Sequence, residues 1–208
     1  MPLSVDIVSD VVCPFCLIGA TRVRQALEAE GVSDAEVTFH PFLLDAEIPD
    51  AGVDLRERLR AKYGGDPTTM FGRVEAMAKE SGIPLDFAKV RRYPSTVGAH
   101  TLLRHAEDKG TQTALAFALF EAYFLEGADI GDREVLAGIA AKHGFEPEEC
   151  RALLADASEA KATRAEAEEA SRQGIRGVPL VIFGGELAVS GAQPVEAFRQ
   201  VIRRLLQP

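Results

Sequence analysis

The feature that most constrains this chain is a pair of cysteines, Cys13 and Cys16, set between a strand pattern and a helix pattern. Alternating apolar residues at positions 3, 5 and 7 predict a strand, and an apolar face recurs at helical spacing from position 16 until Gly31. Pro14 has no amide hydrogen, so it suits the first position of that helix. The sequence therefore predicts Cys13 at or next to the N-cap, with Cys16 one turn farther along the same side.

This placement predicts reactive thiols. The positive end of the helix dipole and unpaired amide groups favour the thiolate of Cys13, which we expect to be the exposed and nucleophilic thiol. Cys16 is near enough to attack a disulfide formed at Cys13. With only three cysteines in the chain, a C-x-x-C pair is rarely a coincidence. We therefore expect redox chemistry rather than two inert buried cysteines.

A zinc site is the other interpretation of these cysteines. His100 and His105 have an H-x4-H spacing that, with the C-x-x-C pair, imitates a zinc-finger formula. The stretch between the two motifs is far longer than in a zinc finger, however. Both histidines also lie in a helical pattern, where this separation puts them on different faces. We therefore expect no metal.

Composition limits the partners. The 208 residues, 47% of them hydrophobic, suit one domain with an insertion and a sizeable core. The net charge of −9 argues against nucleic acid or an anionic membrane as a partner. No apolar run approaches the ~18 residues of a membrane span. The N-terminus has no basic segment followed by an apolar one, so we expect a cytoplasmic protein if the printed chain is the whole gene product.

The predicted elements divide the chain into two parts. Residues 35–42 predict a second strand, which completes a βαβ unit with parallel pairing. Only helical periodicity follows, until residues 178–190 predict a hairpin turning at Gly184-Gly185, and then a last helix. We expect an α/β domain built from residues 1–45 and 156–208, with residues 46–155 forming an inserted all-helical domain.

Several segments resemble the DsbA family of thioredoxin-fold oxidoreductases, and in particular its FrnE-like branch. The two specific motifs are the C-P-x-C at Cys13 and the G-V-P that ends at Pro179. Further segments support the resemblance by their order and spacing. They are Ser9-Asp10-Val11-Val12, His40-Pro41-Phe42, Ala99-His100 and residues 122–127, 174–176 and 189–193. The resemblance extends along most of the chain and implies a thioredoxin fold with an inserted all-helical domain.

The resemblance also assigns the site. Most X–Pro bonds are trans, so the residues alone would predict a trans Val178–Pro179 bond. In the family this bond is cis and faces the first cysteine, which leaves the backbone of Val178 free to pair with an extended substrate chain. The resemblance therefore implies Cys13 and Cys16 as the catalytic pair, with Pro14, Phe15, Val178 and Pro179 contacting substrate.

Two further residues have more than one interpretation. His100 is either an ordinary helix residue with satisfied hydrogen bonds or a polar group lining a cleft between the helical domain and the thioredoxin core. We include it among the substrate-binding candidates on the second interpretation. Cys150 is interpreted as a small core residue rather than a third redox thiol.

The chain departs from the family at two places. FrnE-like proteins usually carry Trp between the cysteines, where this chain has Phe15, so Cys13 gains no extra cationic partner there. Many thioredoxin-fold enzymes place a buried acid six residues before the first cysteine. Ile7 occupies that place, so no proton shuttle is expected from it.

Two functions follow from the resemblance. The leading hypothesis is a thiol–disulfide oxidoreductase of the protein disulfide isomerase type, acting on protein or peptide thiols without a cofactor. The alternative is a glutathione-dependent enzyme, either a 2-hydroxychromene-2-carboxylate isomerase or a kappa-class transferase, which uses a single activating residue at the Cys13 position. Cys16 separates the two, because disulfide exchange needs a second thiol and glutathione activation does not.

Overall fold

The computed structural model describes residues 2–207. Its strands are β1 (Ser4–Ser9), β2 (Glu36–Pro41), β3 (Val53–Asp54), β4 (Arg92–Tyr93), β5 (Leu180–Phe183) and β6 (Leu187–Ser190). Its helices are α1 (Pro14–Ala29), α2 (Leu55–Tyr63), α3 (Thr68–Glu80), α4 (Val97–Asp108), α5 (Gln112–Phe124), α6 (Arg133–Ala140), α7 (Pro147–Ala155), α8 (Ala157–Arg172) and α9 (Val195–Leu206).

The main sheet has four strands in the order β2-β1-β5-β6. Strand β1 pairs in parallel with β2, which confirms the predicted βαβ unit, and antiparallel with β5. Strands β5 and β6 form the predicted hairpin. Its turn residues Gly184 and Gly185 have φ values of 61° and 68°, which glycine adopts without steric cost and which suit a tight hairpin turn.

A second, small sheet corrects the prediction that the middle of the chain holds only helices. Strands β3 and β4 pair antiparallel, with Val53 opposite Tyr93 and Asp54 opposite Arg92. Each strand is only two residues long, which is too short to leave an alternating pattern in the sequence. This pair joins the start of α2 to the segment before α4 and brings Tyr93 to a buried position.

The helices cover both the sheet and one another. Helix α1 packs against α9 and α3, while α4, α5 and α8 pack against β2. Helix α5, predicted to be buried because it is apolar nearly all round, has Leu115, Leu119 and Phe120 fully buried. One hydrophobic cluster runs through the whole assembly. The boundaries of the inserted domain, residues 46–155, stay a prediction.

The first turn of α5 seals the outer edge of β2. The side-chain oxygen of Gln112 accepts the amide of Phe39 at 2.8 Å, and its nitrogen donates to the carbonyl of the same residue at 3.1 Å. The hydroxyl of Thr113 donates to the carbonyl of Val37 at 3.0 Å. Backbone groups at a sheet edge that would otherwise need water or another strand are satisfied in this way.

Within residues 2–207, no helix combines the length and apolar character needed to cross a membrane.

Candidate active site

Cys13 lies at the N-cap of α1, as the sequence predicts. Its backbone is extended, with φ −90° and ψ 112°, and Pro14 follows at the first helical position. The amides of Cys16 and Leu17 donate to the carbonyl of Cys13 at 3.0 and 3.3 Å. The Leu17 bond is the first i→i−4 bond of the helix, and the Cys16 amide shares the same carbonyl.

The motif is more buried than expected. Cys13 is only 3% exposed and Cys16 is fully buried, whereas Phe15 between them is 39% exposed. The prediction that Cys13 is an exposed thiol is therefore wrong. The reason is the segment that opens the hairpin, because the carbonyl oxygen of Val178 lies 3.8 Å from the Cys13 sulfur. Phe15 is the side chain of the motif that meets solvent.

Cys16 has a thiol that resists ionisation. Its burial, its hydrogen bond with the Cys13 side chain and the negative charges of Cys13 and Asp10 all raise the pKa of Cys16 well above its ordinary value, with burial the largest cause. Because burial disfavours the charged form, Cys16 remains protonated near neutral pH as long as Cys13 is not in a disulfide. The two thiols therefore have different roles available to them.

The Val178–Pro179 bond is cis, the isomer that the resemblance implies. Val178 is half-buried and Pro179 is buried against α1. Gly19 permits this contact, because a Cβ atom at that position would lie 2.9 Å from Cγ of Pro179. Real Cβ atoms essentially never approach that closely, so only glycine lets the hairpin segment reach the helix that carries the two cysteines.

Sequence reasoning missed the role of Asp10. This carboxylate is 1% exposed, and its Oδ2 atom accepts the amide of Leu44 at 2.9 Å. Its charge also acts on two tyrosines: burial first, and then the charge of Asp10, raises the pKa values of Tyr93 and Tyr123. The signal was a single acid in the otherwise uncharged stretch 7–13, three positions before Cys13. The position predicted to lack an acid, Ile7, is a buried core residue of β1.

His100 is the partner of Asp10. It lies on α4, it is 2% exposed, and its Nε2 atom is 3.3 Å from Oδ1 of Asp10. The ring is enclosed by the protein and its hydrogen bond is made internally, in agreement with the first of its two interpretations, a helix residue with satisfied hydrogen bonds. Its assignment to substrate binding stays a prediction.

The remaining candidates lie away from the two thiols. His105 pairs with Glu159 at 2.9 Å, on the side of α4 that faces α8. Cys150 is fully buried in the hydrophobic cluster, in agreement with its interpretation as a core residue. Within residues 2–207, no group of three or more His, Cys, Asp or Glu side chains is arranged to hold a metal ion.

Residues 4–203 match the family model described as the DSBA-like thioredoxin domain. The chain belongs to this family. The match confirms the predicted fold class, a thioredoxin fold with added helices, and it spans both motifs on which the resemblance rests.

Known proteins similar to this DsbA-like chain include both a solved oxidoreductase and an uncharacterized relative. A probable DsbA oxidoreductase from Streptomyces coelicolor is 32% identical, with a TM-score of 0.87 over 97% of this chain and 89% of that chain. The uncharacterized protein YwbO of Bacillus subtilis is 25% identical over 97% of this chain and 96% of its own length. The cytosolic disulfide reductase DsbM from Pseudomonas aeruginosa, in a structure with GSH, is 18% identical, with a TM-score of 0.67 over 98% of each chain; it shares the fold.

Proposed function

We propose that this DsbA-like protein is a thiol–disulfide oxidoreductase that acts on protein or peptide thiols through Cys13 and Cys16. One observation carries the proposal: Cys13 lies near enough to the buried Cys16 thiol to raise its pKa, and the Cys13 sulfur lies 3.8 Å from the backbone carbonyl oxygen of Val178. A nucleophile, a second thiol to resolve its product, and a backbone segment for the substrate chain therefore meet at one point.

The first step is attack by the Cys13 thiolate on a substrate disulfide. A bond forms between Cys13 and one substrate sulfur, the substrate S–S bond breaks, and the other substrate sulfur leaves as a thiolate. The exposed ring of Phe15 and the half-buried Val178 provide the surface on which the substrate chain is held. An extended chain can pair with the backbone of Val178 as an added strand would.

The second step belongs to Cys16. Once Cys13 is in a mixed disulfide, its sulfur carries no negative charge and is a poorer acceptor for the Cys16 thiol hydrogen, so both contributions of Cys13 that raise the pKa of Cys16 are weakened. Cys16 can then lose its proton and attack the sulfur of Cys13, and the second substrate thiolate leaves. Two electrons have passed from the Cys13–Cys16 dithiol to the substrate disulfide. The same steps run backwards when the Cys13–Cys16 disulfide oxidises a substrate dithiol.

Glutathione is the small thiol that we propose as a further partner, because a protein of the same fold, DsbM, has a structure with GSH. In this role it exchanges with the Cys13–Cys16 disulfide and acts as a co-substrate, not as a resident cofactor. The cytoplasmic location expected from the N-terminal sequence stays a prediction.

The test is Cys16→Ser, which replaces a thiol by a hydroxyl of nearly the same size. Cys13 still attacks, but nothing resolves the product, so mixed disulfides with substrate are expected to accumulate on a non-reducing gel. Insulin reduction is expected to fall by about a hundredfold or more. Cys150→Ser is the matched control, because it removes the third thiol, also fully buried, and is expected to trap nothing.

Glutathione-dependent isomerisation or transfer would give the opposite result. Turnover of a chromene carboxylate or an aryl electrophile with glutathione would then persist in Cys16→Ser and vanish in Cys13→Ala. Persistence of that turnover, with no trapped species, would overturn the proposed function.

A further inference from the structure

A buried arginine joins the active-site helix to two other parts of the molecule. Arg22 lies on α1 and is 7% exposed. Its Nε atom donates to the hydroxyl of Ser81, just after α3, at 2.7 Å. Its Nη1 atom donates to the carbonyl of Ala192, in the turn between β6 and α9, at 2.9 Å. One planar side chain therefore fixes the end of α3 and the 191–193 turn to the same place on α1.

The 191–193 turn also contacts Pro179 directly. The amide of Gly191 donates to the carbonyl of Pro179 at 2.8 Å. Pro179 and Ala192 also lie side by side over Gly19, since a Cβ at Gly19 would be 2.9 Å from Cγ of Pro179 and 3.7 Å from Cα of Ala192. Arg22 is three residues beyond Gly19 on the same helix, so the two positions lie on one face.

The charge of Arg22 is balanced mainly by backbone carbonyls. Its nearest carboxylate is that of Glu80 at 3.6 Å, on a side chain that is 76% exposed. Two weaker contacts, each at 3.5 Å, reach the carbonyls of Met77 and Gln193. Met77 is in the last turn of α3, where the helix dipole favours a cation. Burying a charge is costly, and a packing role alone would be served by an apolar side chain.

We propose that Arg22 is a positioning residue of the active site. By holding the 191–193 turn against α1, it sets the distance between the Cys13 sulfur and the backbone of Val178. This inference rests on the proposed function, in which the substrate chain pairs with Val178. Because Ser81 belongs to the predicted helical insert, Arg22 also fixes the substrate-contacting segment relative to that insert.

The test compares Arg22→Gln with Arg56→Gln. Arg56 makes a similar anchor elsewhere, since its guanidinium donates to the carbonyls of Val90 and Phe87 at 3.0 and 2.8 Å. In Arg22→Gln we expect KM for a peptide disulfide to rise about tenfold and kcat to stay within about twofold. In Arg56→Gln we expect a lower Tm with KM unchanged, because its contacts do not reach the 191–193 turn.

Gly191→Ala provides an independent route to the same result. Gly191 has a φ of 81°, which alanine adopts only with strain, so this change displaces the turn while leaving Arg22 in place. The same rise in KM is expected, and this variant carries the test if Arg22→Gln does not fold. A wild-type KM in either folded variant, or an equal rise in Arg56→Gln, would overturn the inference.

A measurement without turnover separates the inference from the proposed function. Crystal structures of the wild type and Arg22→Gln give the distance from the Cys13 sulfur to the Val178 carbonyl, 3.8 Å here. A longer distance in the variant, with no insulin reduction by the wild type, would refute the function and leave the positioning role standing. An unchanged distance would refute the positioning role, whatever the wild type does.

Discussion

Helices α1 and α7 begin alike but place their cysteines in different surroundings. Each has a proline in its first turn, and each carries a fully buried cysteine in its N-terminal part, Cys16 on α1 and Cys150 on α7. The pKa of Cys150 is raised, as that of Cys16 is, and burial is the largest cause for both thiols.

Their surroundings differ. The first turn of α1 contains no acid, whereas α7 has Glu148 and Glu149 there, and the side chain of Glu149 accepts the amide of Glu146 at 3.3 Å. Around Cys13 lie a second thiol and the carbonyl of Val178, which is 165 positions away in the chain. A proline-led start is therefore common to both helices, and what distinguishes Cys13 is the second thiol and the distant backbone segment folded against it.

Replacing the thiols one at a time is expected to give the largest difference in turnover between the two helix starts. Cys13→Ala is expected to lower insulin reduction by about a thousandfold or more, because the attacking sulfur is gone. Cys150→Ala is expected to leave turnover within about twofold while lowering the free energy of unfolding by about 1 kcal/mol or more through the cavity it creates. Comparable losses of turnover in the two variants, measured below their Tm values, would contradict the comparison.

Asp10→Asn is expected to have an effect of intermediate size, on the pKa of Cys16. A negative charge disfavours a thiolate, and the Asp10 charge is among the causes that raise the pKa of Cys16, so replacing this carboxylate with a neutral amide is expected to lower that pKa. With Cys13 held in a mixed disulfide with thionitrobenzoate, the pH midpoint for release of the coloured thiol reports this pKa. The midpoint is expected to move downward.

Asp6→Asn is the matched control for that measurement. Asp6 lies on β1, four residues before Asp10, and it also pairs with a histidine, His40, at 2.8 Å, but both side chains of that pair are partly exposed. It is expected to leave the midpoint unchanged. A midpoint in Asp10→Asn that stays in place or moves upward would show that the Asp10 charge does not act on Cys16.

The smallest expected effect is on the alkylation rate of Cys150, on α7. Glu149→Gln removes the charge that, after burial, contributes most to raising the pKa of Cys150. Because burial remains, alkylation of Cys150 in the native protein is expected to rise less than about threefold, as read by mass spectrometry, with the protein in denaturant as the fully reactive reference. A Cys150 rate that reaches that of Cys13 would mean that charge, not burial, protects it.

Local pattern was enough to predict much of the fold. Apolar alternation identified β1 and β2, paired glycines identified the β5–β6 turn, and Pro14 predicted the N-cap at Cys13. Contacts distant in sequence leave no local pattern, and that between Val178 and Cys13 was implied only by the family resemblance. The role of Asp10 depends on His100, which is 90 positions away, and the burial of Cys13 depends on Val178. Strands of two residues, such as β3, leave no period to detect.

The amide side chain of Gln112 has a consequence for the growth of the sheet. It offers Phe39 one acceptor and one donor, as the backbone of a neighbouring strand would, and so ends the sheet on that side. The opposite edge, β6, is four residues long and pairs only with β5 among the described strands. A strand from another molecule could therefore extend the sheet only at the β6 edge. The β2 edge, whose backbone groups at Phe39 are already hydrogen-bonded to Gln112, offers no place for a further strand.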